Sequence, residues 1–261
     1  MRECGFKCAA RAIAVVEHVL TIAATDSPAQ ASAQFKRAQY RGDPLSGIPH
    51  AMVKRLYAGM AGTFDTHLTE RLGYRIPAML IDELNEWLNS FQTQFMRQPI
   101  IADLGCGTGL FGIEVRRFAA RLVGVDLSAA MLDRARERGC YDELIENDLL
   151  SFLDGSKEVF DLIVATDVFI YVGRLDELFA RVTLRLSTGG RFAFSTEALL
   201  VGDADYHFQP SGRFAHHPRY IARLAEEYGL AVVKQVDCDI RTENGLPLAG
   251  QLTILEVAAR A

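Results

Sequence analysis

The sequence predicts a doubly wound α/β fold: a mostly parallel seven-stranded sheet ending in an antiparallel hairpin, with helices ahead of it. Three observations predict this. From Pro99 onward, short apolar runs alternate with helical segments, the pattern of a parallel sheet covered on both faces. The first run, Ile100–Leu104, leads straight into the glycine-rich turn Gly105-Cys106-Gly107-Thr108-Gly109 and a helical segment. The last two runs, Ala231–Arg241 and Leu248–Ala259, flank Thr242-Glu243-Asn244-Gly245, and Asn-Gly between apolar runs is a strong hairpin signal.

Composition supports a globular chain. Of 261 residues, 49% are hydrophobic and 23% charged, which excludes wholesale disorder. Lys and Arg number 28 against 33 Asp and Glu, a net charge of −5. That balance gives no electrostatic footprint for nonspecific nucleic-acid or membrane binding. The five cysteines, Cys4, Cys8, Cys106, Cys140 and Cys238, are odd in number and scattered, so they form no disulfide framework and fit a reducing cytoplasm. Cys4 and Cys8 lack a second ligand pair, and no cluster calls for a metal. The apolar stretch at 9–24 carries Glu17 and His18, is too short to span a membrane, and places Ile13, Val16, Leu20 and Ala24 on one helical face.

The elements follow in order. Helices are expected near 9–24 and, after Ser27-Pro28, near 29–40. The run from Arg41 to Pro49 is rich in breakers and reads as a linker. Helical text resumes at His50–Ala61, and again from Pro77, a residue suited to a first helical position, to about Phe95. This divides the chain into a helical appendage at 1–45, a helical lid region at 46–98 and the α/β domain at 99–261. Within that domain the runs are Ile100–Leu104, Leu122–Val125, Leu144–Ile145, Phe160–Ala165 and Arg191–Ser195. Helical pieces lie near 109–119, 128–138, 176–186 and 218–228.

The turn at 105–109 carries the chemistry. Its glycines let the backbone bend sharply and approach a ligand, and the following helix offers free N–H groups. Asp126, with Leu127 beside it, ends the second strand and is placed to accept hydrogen bonds from ribose hydroxyls. Two cofactor classes fit this geometry. Gly107, Gly109 and Gly112 form a literal G-x-G-x-x-G, which suits a dinucleotide. Asp103, just before the turn, repels a pyrophosphate and suits a cationic ligand instead.

The stretch Asp103-Leu104-Gly105-Cys106-Gly107-Thr108-Gly109, followed by Asp126, resembles the first two motifs of class I S-adenosylmethionine-dependent methyltransferases. The resemblance covers roughly 99–200 and implies a Rossmann-like fold and S-adenosylmethionine as cofactor. It implies that Asn147-Asp148-Leu149 reach the adenine and that Met131 lines its pocket. It also implies that Phe160–Ala165 is the fourth strand, with Asp161 structural, and that Leu186–Phe192 holds the Gly-Gly turn into the fifth. Ligands of such sheets sit beyond the carboxyl ends of the strands, so Asp167 and Tyr171 should face the pocket. Tyr57–Leu68, Leu72–Pro77 and Gln209–His216 are similar to predicted methyltransferases associated with tetratricopeptide repeats, although the repeats themselves are missing.

Methyl transfer needs an acceptor aligned with the breaking C–S bond, exclusion of water and, for some acceptors, a base. Tyr57 and Phe64 share a helical face; Tyr57 suits the methionine carboxylate, and an aromatic face attracts a sulfonium. Candidate bases are His216, Tyr171 and His67, beside His207, His217 and Glu197. His207, Arg213 and His216 crowd an insert that reads as a small hairpin, with Arg213 and His207 placed to bind an acidic acceptor. Thr166-Asp167-Val168-Phe169 lacks the Asp/Asn-Pro-Pro-aromatic signature of enzymes that methylate exocyclic or amide nitrogens. The expected acceptor is therefore a small molecule and not a nucleic acid. A protein or peptide acceptor, a non-catalytic cofactor-binding module and an NAD-dependent oxidoreductase are the alternatives. A homodimer or protein contact would use the N-terminal helices.

Overall fold

The computed structural model describes residues 2–25, 27–243 and 245–258, with side chains from residue 12 onward. Asn244 and Ala259, both used in the hairpin expectation, lie outside the described residues. Helices α1 (Arg2–Ile22) and α2 (Pro28–Arg41) pack on each other. The Ser27 hydroxyl accepts from the Gln30 amide at 3.2 Å to cap α2, and Gly42 ends it in the left-handed conformation. Then come α3 (His50–Met60), a π-helical turn (Thr66–Arg71) and α4 (Ile76–Phe95).

The α/β part runs β1 (Ile100–Leu104), α5 (Leu110–Val115), β2 (Arg121–Asp126), α6 (Ala129–Arg138), β3 (Glu143–Glu146), α7 (Leu149–Gly155), β4 (Phe160–Ala165), α8 (Asp176–Arg185) and β5 (Leu186–Ala198). It continues with β6 (Tyr206–Phe208), β7 (Phe214–His216), α9 (Pro218–Glu227), β8 (Leu230–Glu243) and β9 (Leu246–Val257). Strands β3-β2-β1-β4-β5 pair in parallel, β9 pairs antiparallel with β5, and β8 antiparallel with β9. Among the described residues the sheet has nine strands, two beyond the seven expected, because the insert hairpin β6–β7 joins it. Strand β7 runs parallel to the end of β5, at Glu197 and Ala198.

Two apolar layers sandwich the sheet. One holds Ile76, Leu80 and Leu84 of α4 with Phe111 of α5; the other holds residues of α7, α8 and α9. The central strands are buried on both faces, which fixes the order of the elements and brings the carboxyl ends of β1, β2 and β4 together at one edge. Over that edge lies the segment from Ser46 to Leu72. It is tied down by an antiparallel bridge between Gly47 and Val172, with Ile48 N donating to Tyr171 O at 2.9 Å. Helix α2 also reaches the insert, where Phe35 meets Phe208 edge-on at 5.5 Å.

Candidate functional site

The first turn is built from three positive-φ glycines, Gly105 (73°), Gly107 (55°) and Gly109 (89°), a conformation that costs other residues strain. Each glycine faces something different. A Cβ on Gly105 would meet Val168 at 2.4 Å, whereas at Gly107 nothing lies within 4 Å. At Gly109 and Gly112 the obstruction is the Tyr141 ring, at 3.0 and 2.4 Å, and Gly124 meets the same ring at 2.9 Å. Three glycines thus form a socket for Tyr141, whose hydroxyl donates to Asp103 Oδ2 at 2.6 Å. Gly112, the third glycine of the G-x-G-x-x-G, is consumed by packing.

Asp126 ends β2 beneath the turn. Its Oδ2 accepts from Gly107 N at 2.9 Å and its Oδ1 from Ser128 N at 2.8 Å. Burial raises its pKa, and these backbone donors oppose that. A cavity of about 420 Å³ opens above it. Its floor is Gly105–Thr108, Asp126, Leu127, Asp148 and Leu149; Thr166, Asp167, Val168 and Tyr171 line the β4 side. The roof is Ile48, His50, Val53, Tyr57, Phe64 and Leu68. Tyr57 and Tyr171 share a hydrogen bond of 2.7 Å across the cavity, and Tyr57 meets the Phe64 ring edge-on at 5.6 Å. Burial pushes the Tyr171 phenol up to about 12 and Tyr57 up as well, so neither phenol serves as a base near neutral pH.

The roof is clipped to the glycine turn. Asp65 accepts from the Thr108 hydroxyl at 2.5 Å and from Arg138, whose Nε donates to Thr108 O at 2.6 Å. Behind the β4 side lies a buried ion network. Arg241 Nη1 reaches both Asp167 oxygens at 2.9 Å, Nη2 reaches Glu197 at 2.8 Å and Nε reaches Glu243 at 2.8 Å. Arg213 closes it through Glu197 at 2.5 Å and Glu243 at 2.6 Å.

The structure therefore brings Tyr57, Phe64, Gly105, Cys106, Gly107, Asp126, Leu127, Asp148, Leu149, Asp167 and Tyr171 to one cavity. Asp148 also caps α7, its Oδ1 accepting from Ser151 N at 2.9 Å. Other expectations need correction. Asp103 is fully buried behind the turn and does not line the cavity; its Oδ1 has no partner, and burial raises its carboxyl to about 7. Met131 is core beneath α6, and Gly109 faces Tyr141. The Asn147 side chain accepts from Asp148 N at 2.9 Å, outside the cavity wall.

The insert does not reach the acceptor space. Arg213 is neutralised by Glu197 and Glu243, because the register of β7 on β5 directs it into the ion network. His216 is buried, with Nε2 at 2.9 and 3.0 Å from the carbonyls of Val172 and Gly173. Burial lowers it to about 4, so it is a neutral clamp on the turn after β4 and not a base in the cavity. His207 is exposed on β6, His67 sits in the π-helical turn off the cavity wall, and His217 caps α9 through Nδ1. Glu197 is locked between two arginines. The histidine that does line the cavity, His50, begins α3 next to Pro49, and no motif in the sequence marks it. Among the described residues, no three His, Cys, Asp or Glu side chains are grouped to hold a metal, and no helix is long and apolar enough to cross a membrane.

This sheet order, with its antiparallel β8–β9 end, is the fold of class I methyltransferases, and residues 101–190 match the methyltransferase domain family. Over 95 residues the chain is 37% identical to trans-aconitate 2-methyltransferase of Paracidovorax citrulli, covering 36% of each chain. It thus spans about a third of the length of that curated relative. Among solved structures it is similar to an S-adenosylmethionine-dependent methyltransferase of Clostridium acetobutylicum, with TM-score 0.54, 18% identity and coverage of 78% of this chain and all of that one. It is also similar to magnesium protoporphyrin IX methyltransferase of Synechocystis with bound S-adenosylmethionine, with TM-score 0.52, 15% identity and coverage of 70% and 79%. At these identities the two structures carry the fold.

Proposed function

We propose that the chain transfers a methyl group from S-adenosylmethionine to a small-molecule acceptor. The observation that carries this reading is Asp126, held by Gly107 N and Ser128 N at the floor of the cavity beside the open face of Gly107. Its remaining lone pairs suit two ribose hydroxyls, and Leu127 and Leu149 offer apolar faces for an adenine near Asp148. Bound S-adenosylmethionine supplies a methyl carbon on a sulfonium, open to in-line displacement. Tyr57, Tyr171 and Phe64 present aromatic edges and faces that favour a cation and exclude water.

A dinucleotide fits less well. Asp126, Asp148 and Asp167 around the cavity disfavour a pyrophosphate, and Gly112 is needed by Tyr141. Within this proposal, the segment 46–98 acts as a lid on the 99–261 domain and 1–45 as an appendage. Any homodimer or protein contact is assigned to the α1–α2 hairpin, which exposes Val15 and Ile22. The similarity of 57–77 and 209–216 to methyltransferases associated with tetratricopeptide repeats supports that subtype, and the scattered thiols support a cytoplasmic site of action. Calorimetric titration with S-adenosylhomocysteine and with NAD tests the proposal. Binding of the first alone is expected; binding of NAD alone, or of neither, refutes it.

A further inference from the structure

The ribose and adenine positions at the ends of β2 and β3 leave the β4 end of the cavity for the acceptor. That end is walled by Phe64, Leu68, Tyr74, Pro77 and Phe111. Leu68 and Tyr74 are each only 7% exposed, and Phe111 2%. The polar groups there are Thr166, the Tyr57–Tyr171 hydroxyl pair, and Asp167. The cations nearest this end are spent. Arg241 divides its guanidinium among Asp167, Glu197 and Glu243, and Arg213 between Glu197 and Glu243. Three carboxylates against two guanidiniums leave the cluster net negative. Neither guanidinium lines the cavity; the arginine that does, Arg174, sits by α8, pairs with Asp176 at 3.4 Å and is 64% exposed.

We infer that the acceptor is an apolar molecule with no negative charge, a neutral hydroxyl compound or an amine, seated between Phe64, Leu68 and Tyr74 with its nucleophile toward the Tyr57–Tyr171 pair. A carboxylate or phosphate in this space would face Asp167 with no free guanidinium to answer it. This class differs from the acid that names the trans-aconitate relative, whose likeness covers 36% of the chain. The inference rests on the cofactor reading above, so the test begins with that.

The protein is first saturated with S-adenosylhomocysteine; absence of that binding defeats the cofactor reading itself. The saturated protein then meets benzyl alcohol, benzylamine and benzoate, which share one ring and differ in charge, with binding read by saturation-transfer NMR titration. The alcohol and the amine should bind, and benzoate at least tenfold more weakly. Benzoate binding as well as or better than the other two overturns the inference, as does failure of all three to bind. In Phe64→Arg, which sets a guanidinium in the wall at a half-buried position, the order should turn toward benzoate. An unchanged order in a folded variant also counts against the inference.

Discussion

The hydroxyl of Tyr57 on α3 stands 2.7 Å from that of Tyr171 in the turn after β4, so the roof and the β4 side of the cavity are hydrogen-bonded directly to each other. The Gly47–Val172 bridge fastens the same turn to the linker ahead of α3. A cavity roofed in this way holds a ligand partly by covering it, and the strength of the roof contact should appear in the affinity.

Tyr57→Phe keeps the ring and its edge contact with Phe64 but deletes one hydrogen bond, whose net value is about 1 kcal/mol. Affinity for S-adenosylhomocysteine should fall roughly fivefold by calorimetry, with the far-UV spectrum unchanged. Tyr171→Phe should fall by a similar factor. The double variant should lose little more, since both changes break the same bond.

The sequence ties Arg213 to an acidic acceptor. The structure ties it to stability instead, so Arg213→Ala should weaken the fold. Glu197 is 3% exposed and would lose one of its two arginine partners. Breaking a buried pair by removing one partner costs about 3–5 kcal/mol. Urea denaturation should show a loss of that order, and Arg213→Ala with Glu197→Gln should recover part of it.

His216 makes stability pH-dependent. Its folded pKa is about 4, below the ordinary 6.5, because burial disfavours the imidazolium. The stability it contributes is complete above 6.5 and is lost as pH falls toward 4, where the unfolded chain binds the extra proton. The full span amounts to roughly 3 kcal/mol. Denaturation midpoints between pH 7 and pH 4 should therefore drop more steeply in the wild type than in His216→Gln, whose amide can still donate to Val172 or Gly173.

Much of this was legible in the sequence because it is written locally. β1 and β4 run over the residues expected, and the antiparallel β8–β9 hairpin and the small β6–β7 hairpin both formed. Gly105, Gly107 and Asp126 met at one cavity because the turn and the two strand ends are adjacent in any such sheet. What was missed is long-range. Arg241 pairs with Asp167 across 74 residues, and Asp65 meets Thr108 across 43. Neither partner is marked by its neighbours. Arg213 and His216 lie away from the acceptor space because clustering in sequence says nothing of facing: the parallel register of β7 on β5 turns one into an ion network and the other onto carbonyls. Helix α7 carries no sequence signal, since Leu149–Gly155 is too short to show a period.

The glycines separate packing from ligand approach. Gly112→Ala would drive a methyl to within 2.4 Å of the Tyr141 ring, which is wedged between Gly109 and Gly124. It should destabilise the fold by about 1–3 kcal/mol in chemical denaturation. Gly107→Ala meets no atom within 4 Å and is strained only by its φ of 55°. That variant should cost less stability, yet it should weaken S-adenosylhomocysteine binding at least tenfold, because the added methyl points into the open space beside Asp126.

The most direct test of the central claim is a crystal structure of the chain with S-adenosylhomocysteine. The account predicts both ribose hydroxyls within about 3 Å of the Asp126 carboxylate, the adenine beside Leu127 and Leu149 toward Asp148, and the sulfur facing the Tyr57–Tyr171 pair. A ligand seated elsewhere, or one whose ribose leaves Asp126 untouched, would contradict it.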